Sequence, residues 1–192
     1  MPRAGLSTAS VVDAAVGLVD ELGPDAVSLA AVAARTGVAA PSLYKHVRNL
    51  EALQQKVSAR ATAELAQLLS AAVAGRSGEQ ALWAAAIAYR DYALQHPGRY
   101  PLTQRVPDPN DPQHLAAGAL AVQSLVAALR DYGLTGDEAI HATRMVRSAL
   151  HGFVSLEVDG GFGMPQQISA SFDRLVAGLA VSLSEWNRVA RS

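Results

Sequence analysis

No stretch of this chain alternates apolar and polar side chains long enough to form a strand, and its apolar residues recur at the three-and-four spacing of an α-helix instead. Glycine and proline break that pattern at Gly23-Pro24, Thr36-Gly37, Gly75 to Gly78, His96-Pro97-Gly98, Pro107 to Pro112, Gly133 and Gly160 to Pro165. The fold class is therefore all-α, with about nine helices filling the gaps. The first is expected over 8–22, with Val11, Ala15, Leu18, Val19 and Leu22 on one stripe and Gly23 as its stop. Ser28 is a good N-cap for a second, which carries Leu29, Val32 and Ala33 inward and ends at Thr36-Gly37. A third, short helix starts near Ala40-Pro41, where the missing proline N–H costs nothing, and ends near Val47.

A long fourth helix is expected over 49–74, capped by Asn49 and striped by Leu50, Leu53, Val57, Ala61, Leu65 and Leu68. Others follow at about 78–96, 98–105, 113–132, 136–159 and 166–189. The last two are unusually apolar for their length. They are the natural surfaces to bury against a second subunit, with Leu150, Val154, Phe172, Leu175, Leu179 and Leu183 as expected contributors.

Composition narrows what such a bundle can do. Half of the 192 residues are apolar, so the chain can bury a substantial core, yet no apolar run approaches the roughly 18 to 20 residues that span a bilayer. Asp13, Asp20 and Glu21 interrupt the N-terminal stretch where a signal peptide would need continuity, so the expected location is cytoplasmic, with no membrane partner. There is no cysteine, which removes disulfides, thiol catalysis and thiolate metal sites. The net charge of −1 does not mark a polyanion binder, but its distribution is uneven. Between residues 35 and 60 the basic side chains Arg35, Lys45, Arg48, Lys56 and Arg60 face a single acid, Glu51.

That basic window holds two short helices joined by a turn of about four residues, Thr36-Gly37-Val38-Ala39, the arrangement of a DNA-binding helix-turn-helix. Glycine permits the positive φ of a sharp turn, and small inward residues such as Ala33 and Val38 let the second helix cross closely and protrude. Leu43 and Val47 face the core. The outward positions Ala39, Ala40, Ser42, Tyr44, Lys45 and His46 offer small groups for close approach, hydroxyls for phosphates, and positive charge.

The longer string, Val11 to Ala15, Gly23, Ser28 to Ala33, Gly37-Val38-Ala39 and Ser42 to Val47, resembles the TetR family of transcriptional regulators in order and spacing. The resemblance implies DNA binding by residues 1–48, and ligand binding and dimerisation by a helical bundle over residues 49–192. It implies that Ser28, Tyr44, Lys45 and His46 meet phosphates, while Ala39, Ala40, Pro41 and Ser42 approach bases. It implies a homodimeric repressor on a pseudo-palindromic double-stranded operator, released by a small-molecule effector. Two departures stand out: Val47 replaces the usual phenylalanine, and Leu50 replaces a frequent lysine. Further on, Tyr89, His96 to Tyr100 and Leu150 to Phe153 resemble a subgroup marked by a Trp-His-Gly motif, with Leu150 in the tryptophan position. The family places its effector among these helices, which makes Trp83, Tyr89, Tyr92, Arg144, His151 and Phe162 the candidate ligand-binding residues.

Other chemistries find less support. His46, His96, His114, His141 and His151 are scattered, and His141 and His151 stand ten positions apart on one expected helix, about 15 Å along its axis, so no metal is expected. No phosphate-binding glycine loop, Gly-x-Ser-x-Gly or His-Glu-x-x-His motif occurs, so neither an enzyme nor a cofactor is expected. A helical adaptor that binds a protein partner is the remaining rival. Arg3, ahead of the first helix, is a candidate for the minor groove or a plain solvated residue.

Overall fold

The computed structural model describes residues 6–186, so Arg3 and the expected end of the last helix at 187–189 lie outside the described residues. Among these, seven α-helices and four short 3-10 segments account for the regular structure, with no strand. The helices are α1 (Thr8–Leu22), α2 (Leu29–Thr36), α3 (Leu50–Val73), α4 (Gly78–Gln95), α5 (Pro112–Ala128), α6 (Gly136–Val158) and α7 (Ile168–Ser184). Each of the nine expected segments is helical, but two differ in kind. The expected helices at 40–47 and 98–105 are 3-10 segments, Ala40–Lys45 and Tyr100–Gln104, each with a proline near its start that removes an N–H from the first turn. Further 3-10 turns occur at Pro24–Ala26 and at Arg130–Tyr132, which closes off the helix expected to run to residue 132.

The chain packs as two compact units. The first comprises the residues up to Glu64 together with His96–Gly118, and the second Leu65–Gln95 together with the residues from Ala119 onward. The division falls within α3.

In the first unit, Ser7 and Ser10 cap α1 reciprocally: the Ser10 N–H donates to Ser7 Oγ at 3.1 Å and the Ser7 N–H to Ser10 Oγ at 2.9 Å. Its core joins Val11, Val12, Ala15, Leu18 and Val19 of α1 to Val32 and Ala33 of α2, Leu43, Val47, and Leu53 and Val57 of α3. Leu102, distant in sequence, completes it. Two stripe assignments are corrected. Leu22 is exposed, because α1 ends before that position can turn back to the core, and Leu68 is exposed while Leu69 is buried.

In the second unit α4 packs against α6 and α7. Arg90 of α4 donates through Nε to Glu157 of α6 at 2.7 Å, and its guanidinium lies 4.8 Å from the centre of the Phe172 ring of α7. Phe153 bridges to Phe162 and Phe172 with ring centres 4.9 and 5.4 Å apart. This core overturns the expected dimer contacts. Leu150, Val154, Phe172, Leu179 and Leu183 are all buried within one subunit, so they hold α6 and α7 to their own neighbours and have no surface left for a partner. Leu175 is half-buried. The exposed apolar residues of the two helices are Ile140, Leu156 and Val181 instead.

Candidate nucleic-acid interface

The interface is built from the end of α2. Gly37 takes up the left-handed conformation at φ 70°, ψ 29°, which a side chain would oppose. Its N–H donates to the Ala34 carbonyl at 3.3 Å and the Val38 N–H to the Ala33 carbonyl at 3.1 Å, so the last turn of α2 is closed and the chain reverses. Ala39 then runs extended, and Ala40–Lys45 forms a recognition segment of two 3-10 turns. The segment is fastened from within: Leu43 is fully buried and Val47 nearly so, and the Val47 N–H donates to the Leu43 carbonyl at 2.9 Å. Valine suffices at position 47 because the short segment brings it directly into the core with Leu43 and Leu53.

Fastening one side fixes what the other shows. Ala39, Pro41, Tyr44 and Lys45 are exposed, and Ala40, Ser42 and His46 are half-buried. Tyr44 is 59% exposed, unusual for a ring with apolar carbon to hide and a hydroxyl to offer. Ser28 caps α2 by accepting the Ala31 N–H at 3.1 Å, which leaves its hydroxyl proton available to a phosphate oxygen.

The electrostatics are more local than the basic window implies. Arg35 pairs with Glu21, and Arg60 pairs with Glu64 at 3.1 Å and approaches Asp13 at 3.5 Å. Lys56 lines an open groove of about 750 Å³ shared with Asp108 and Asp111. Arg48 lines the same groove, and among the described residues neither it nor Lys45 forms an ion pair, so unpaired positive charge stands at the end of the recognition segment. Arg48 was not among the candidates read from the motif. The signal was present in the charge of the linker between the recognition segment and α3. Beside it, Asn49 Oδ1 caps α3 by accepting the Ala52 N–H at 2.8 Å. Leu50, where the family often has lysine, is half-buried against the core.

The candidate ligand-binding residues all lie in the second unit. Tyr89 and Tyr92 of α4 are buried, Trp83, His151 and Phe162 are half-buried, and Arg144 of α6 is exposed. Trp83 Nε1–H reaches Glu79 at 3.4 Å, His151 Nδ1 lies 3.4 Å from Ser155 Oγ, and Phe162 packs on Phe153. Phe162 also lines a groove of about 310 Å³ with Gly161, Gly163, Met164, Gln166, Ile168 and Ser171.

Among the described residues no helix is long and apolar enough to cross a membrane, and no group of three histidine or carboxylate side chains is placed to hold a metal ion.

Comparison with known proteins agrees with this geometry. Residues 11–57 match the bacterial regulatory proteins of the tetR family, and residues 82–179 match the tetracyclin repressor-like C-terminal domain. The chain is 40% identical over 158 residues to the HTH-type transcriptional regulator Rv0681 of Mycobacterium tuberculosis, covering 82% of this chain and 72% of that protein. The fold is shared with BioQ bound to its double-stranded DNA operator (TM-score 0.67, 23% identity, 92% of this chain and 99% of that one). It is also shared with a variant TetR of Acinetobacter baumannii in complex with minocycline (TM-score 0.70, 21% identity, 96% and 98%). The matches cover both the helix-turn-helix and the helical bundle that follows it, and the chain belongs to the TetR family of DNA-binding transcriptional regulators.

Proposed function

We propose that this regulator is a ligand-responsive repressor acting in the cytoplasm as a homodimer, with residues 1–48 reading the operator and residues 49–192 dimerising and sensing. The observation that carries the reading is the recognition segment, locked inward by Leu43 and Val47 while Pro41, Tyr44 and Lys45 stand in solvent. In this reading Ala39, Ala40, Pro41 and Ser42 lie against base edges. Ser28, Tyr44, Lys45 and His46 hold phosphates, and Arg48 joins them. Alanine and proline offer the bases only apolar contact, as with a thymine methyl, so Ser42 supplies the directional hydrogen bond.

The dimer contact uses the faces of α6 and α7 that the subunit leaves open. These carry Ile140 and Leu156 on α6, and Ala177, Gly178 and Val181 on α7, where small residues let helices approach closely. A small apolar or aromatic effector is bound in the second unit by residues drawn from Trp83, Tyr89, Tyr92, Arg144, His151 and Phe162. The minocycline complex of the similarly folded TetR supports a small-molecule role for a chain of this fold. The effector favours a dimer whose recognition segments are wrongly spaced for DNA. Coupling of about 1 to 3 kcal/mol weakens operator binding about 5- to 150-fold.

Selection of duplexes from a random pool tests the reading. It should enrich a pseudo-palindrome whose half-sites are centred one turn, about 34 to 36 Å, apart. Recovery of no preferred sequence, or of a single half-site bound by a monomer, would contradict it. A compound screen for operator release then tests the sensing half, which fails if no small molecule alters affinity.

A further inference from the structure

The turn His96 to Tyr100 lies far from the helix-turn-helix in sequence yet belongs to the same compact unit. A Cβ on Gly98 would come within 2.2 Å of the Val19 carbonyl oxygen, so the turn seats against the backbone of α1 where only glycine fits. The next residue joins two helices. Arg99 donates through Nε and Nη2 to both carboxylate oxygens of Asp20 on α1, at 2.7 and 2.6 Å, and through Nη1 to Glu64 on α3 at 2.7 Å. Three donors of its planar fork are thus engaged, and the bond to Asp20 above all raises its pKa. Glu64 in turn takes the Nε–H of Arg60, which approaches Asp13 on α1. The series Asp20, Arg99, Glu64, Arg60, Asp13 therefore ties α1 to α3 at two places. The same segment is fastened to α3 by the Ser58 hydroxyl, which donates to the Leu102 carbonyl at 2.7 Å.

These helices set the pose of the recognition segment. Leu43 and Val47 pack into a core shared by α1, α2 and α3, in which α1 contributes most, and α3 begins just beyond Val47. We propose that Arg99, outside the helix-turn-helix, is a positioning residue for operator recognition: it fixes α1 against α3 through Asp20 and Glu64 and so holds the recognition segment at the angle that fits the groove. It is not a DNA contact, because its side chain is only 16% exposed and turned to two carboxylates. Without it, Asp20 and Glu64 lose the positive charge they share, and repulsion between them acts to part the helices. The inference rests on the proposed reading of the recognition segment.

The acidic partners make the decisive test. Asp20→Asn and Glu64→Gln each remove a negative charge from a DNA-binding unit, so long-range electrostatics alone would strengthen binding. A positioning role requires the opposite. Operator and scrambled duplexes are titrated by fluorescence anisotropy at several salt concentrations, at a temperature where circular dichroism shows every variant folded and with active fractions from stoichiometric titration. Arg99→Ala, Asp20→Asn and Glu64→Gln should each weaken operator binding, by about tenfold for the arginine. Scrambled DNA should be little affected, the salt slope unchanged, and Arg99→Ala/Asp20→Asn no worse than Arg99→Ala. Arg99→Lys, which keeps the charge without the fork, should recover part of the loss. Acid variants that bind operator as tightly as wild type or tighter overturn the positioning role, and so does a reduced salt slope in Arg99→Ala. Equal losses on operator and scrambled DNA make Arg99 merely structural. If Arg99→Ala does not fold, the two acid variants still decide. Wild-type protein that prefers no duplex sinks the DNA-reading assignment instead.

Discussion

The two units hold themselves together by different means. In the first, directional polar links join pieces distant in sequence, Arg99 to Asp20 and Glu64 and Ser58 to the Leu102 carbonyl, beside the close steric seat of Gly98 on Val19. In the second, α4, α6 and α7 are joined chiefly by apolar packing around Phe153, Phe172, Leu150 and Val154, with the shielded ion pair of Arg90 and Glu157 stacked on Phe172. Apolar packing sets how much is buried more strictly than at what angle, whereas bidentate bonds fix angles. A unit that must present a short segment to a groove needs the second kind of restraint. On the proposed function, a unit that offers a broad face to its copy can rely on the first.

Substitution in the second unit has the largest effect on folding. Leu179→Asp places a charge in the subunit's own core and should cost upwards of about 3 kcal/mol, unfolding the subunit. Val181→Asp, two positions on but 64% exposed, should leave a folded monomer. Thermal melts with light scattering separate the two outcomes, and a folded dimer from both variants would put the contact elsewhere. In the first unit Gly98→Ala should destabilise by about 1 to 3 kcal/mol or more, since the clash is with backbone that cannot rotate away. A melt within a few tenths of a kcal/mol of wild type would remove the glycine seat from the account.

Acid pH acts on a buried group of the first unit. His114, in the first unit, is fully buried, with Nε2 3.4 Å from Ser58 Oγ and Nδ1 without a hydrogen-bond partner. Its backbone N–H and that of Gln113 both donate to Asp111 Oδ1, which caps α5. Burial lowers its pKa below the ordinary value, the nearby carboxylates of Asp111 and Asp108 only partly opposing this. The unfolded chain therefore binds the proton more readily than the folded one. The stability contributed by the neutral ring is complete above the unfolded pKa of about 6.5 and declines as pH falls through and below it, by at most about 1.4 kcal/mol per pH unit. Urea titrations between pH 7.5 and 5 should show the decline in wild type and a shallower one in His114→Gln. Identical slopes would show that His114 does not carry it.

Much of the interface is legible in sequence because its determinants are local. Ser28 caps within three residues, Gly37 turns where a positive φ is required, and Leu43 and Val47 face inward at a four-residue spacing. What depends on distant partners is not. Nothing near Arg35 tells that Glu21 takes up its charge, and Gly98 shows its need only once Val19 lies beside it. The faces of α6 and α7 are hidden for another reason. Apolar residues occur on both sides of each helix, so spacing alone does not separate Leu179, which is buried, from Val181, which is exposed. Leu22 fails as a stripe member at the last residue of α1, and Leu68 because the buried stripe of α3 passes to one side of it, through Leu65, Leu69 and Val73.

The central claim, that the outer side of the recognition segment meets DNA with Lys45 on phosphate and Ser42 toward the bases, is tested most directly by salt-dependent titration of two variants against operator and scrambled duplexes. Lys45→Ala should weaken binding to both duplexes by similar factors and reduce the salt slope by about one unit. Ser42→Ala should leave the slope alone and relax discrimination at one base pair by at most about 1 to 3 kcal/mol. A Lys45→Ala protein with unchanged salt dependence would contradict the placement of Lys45 on the DNA backbone.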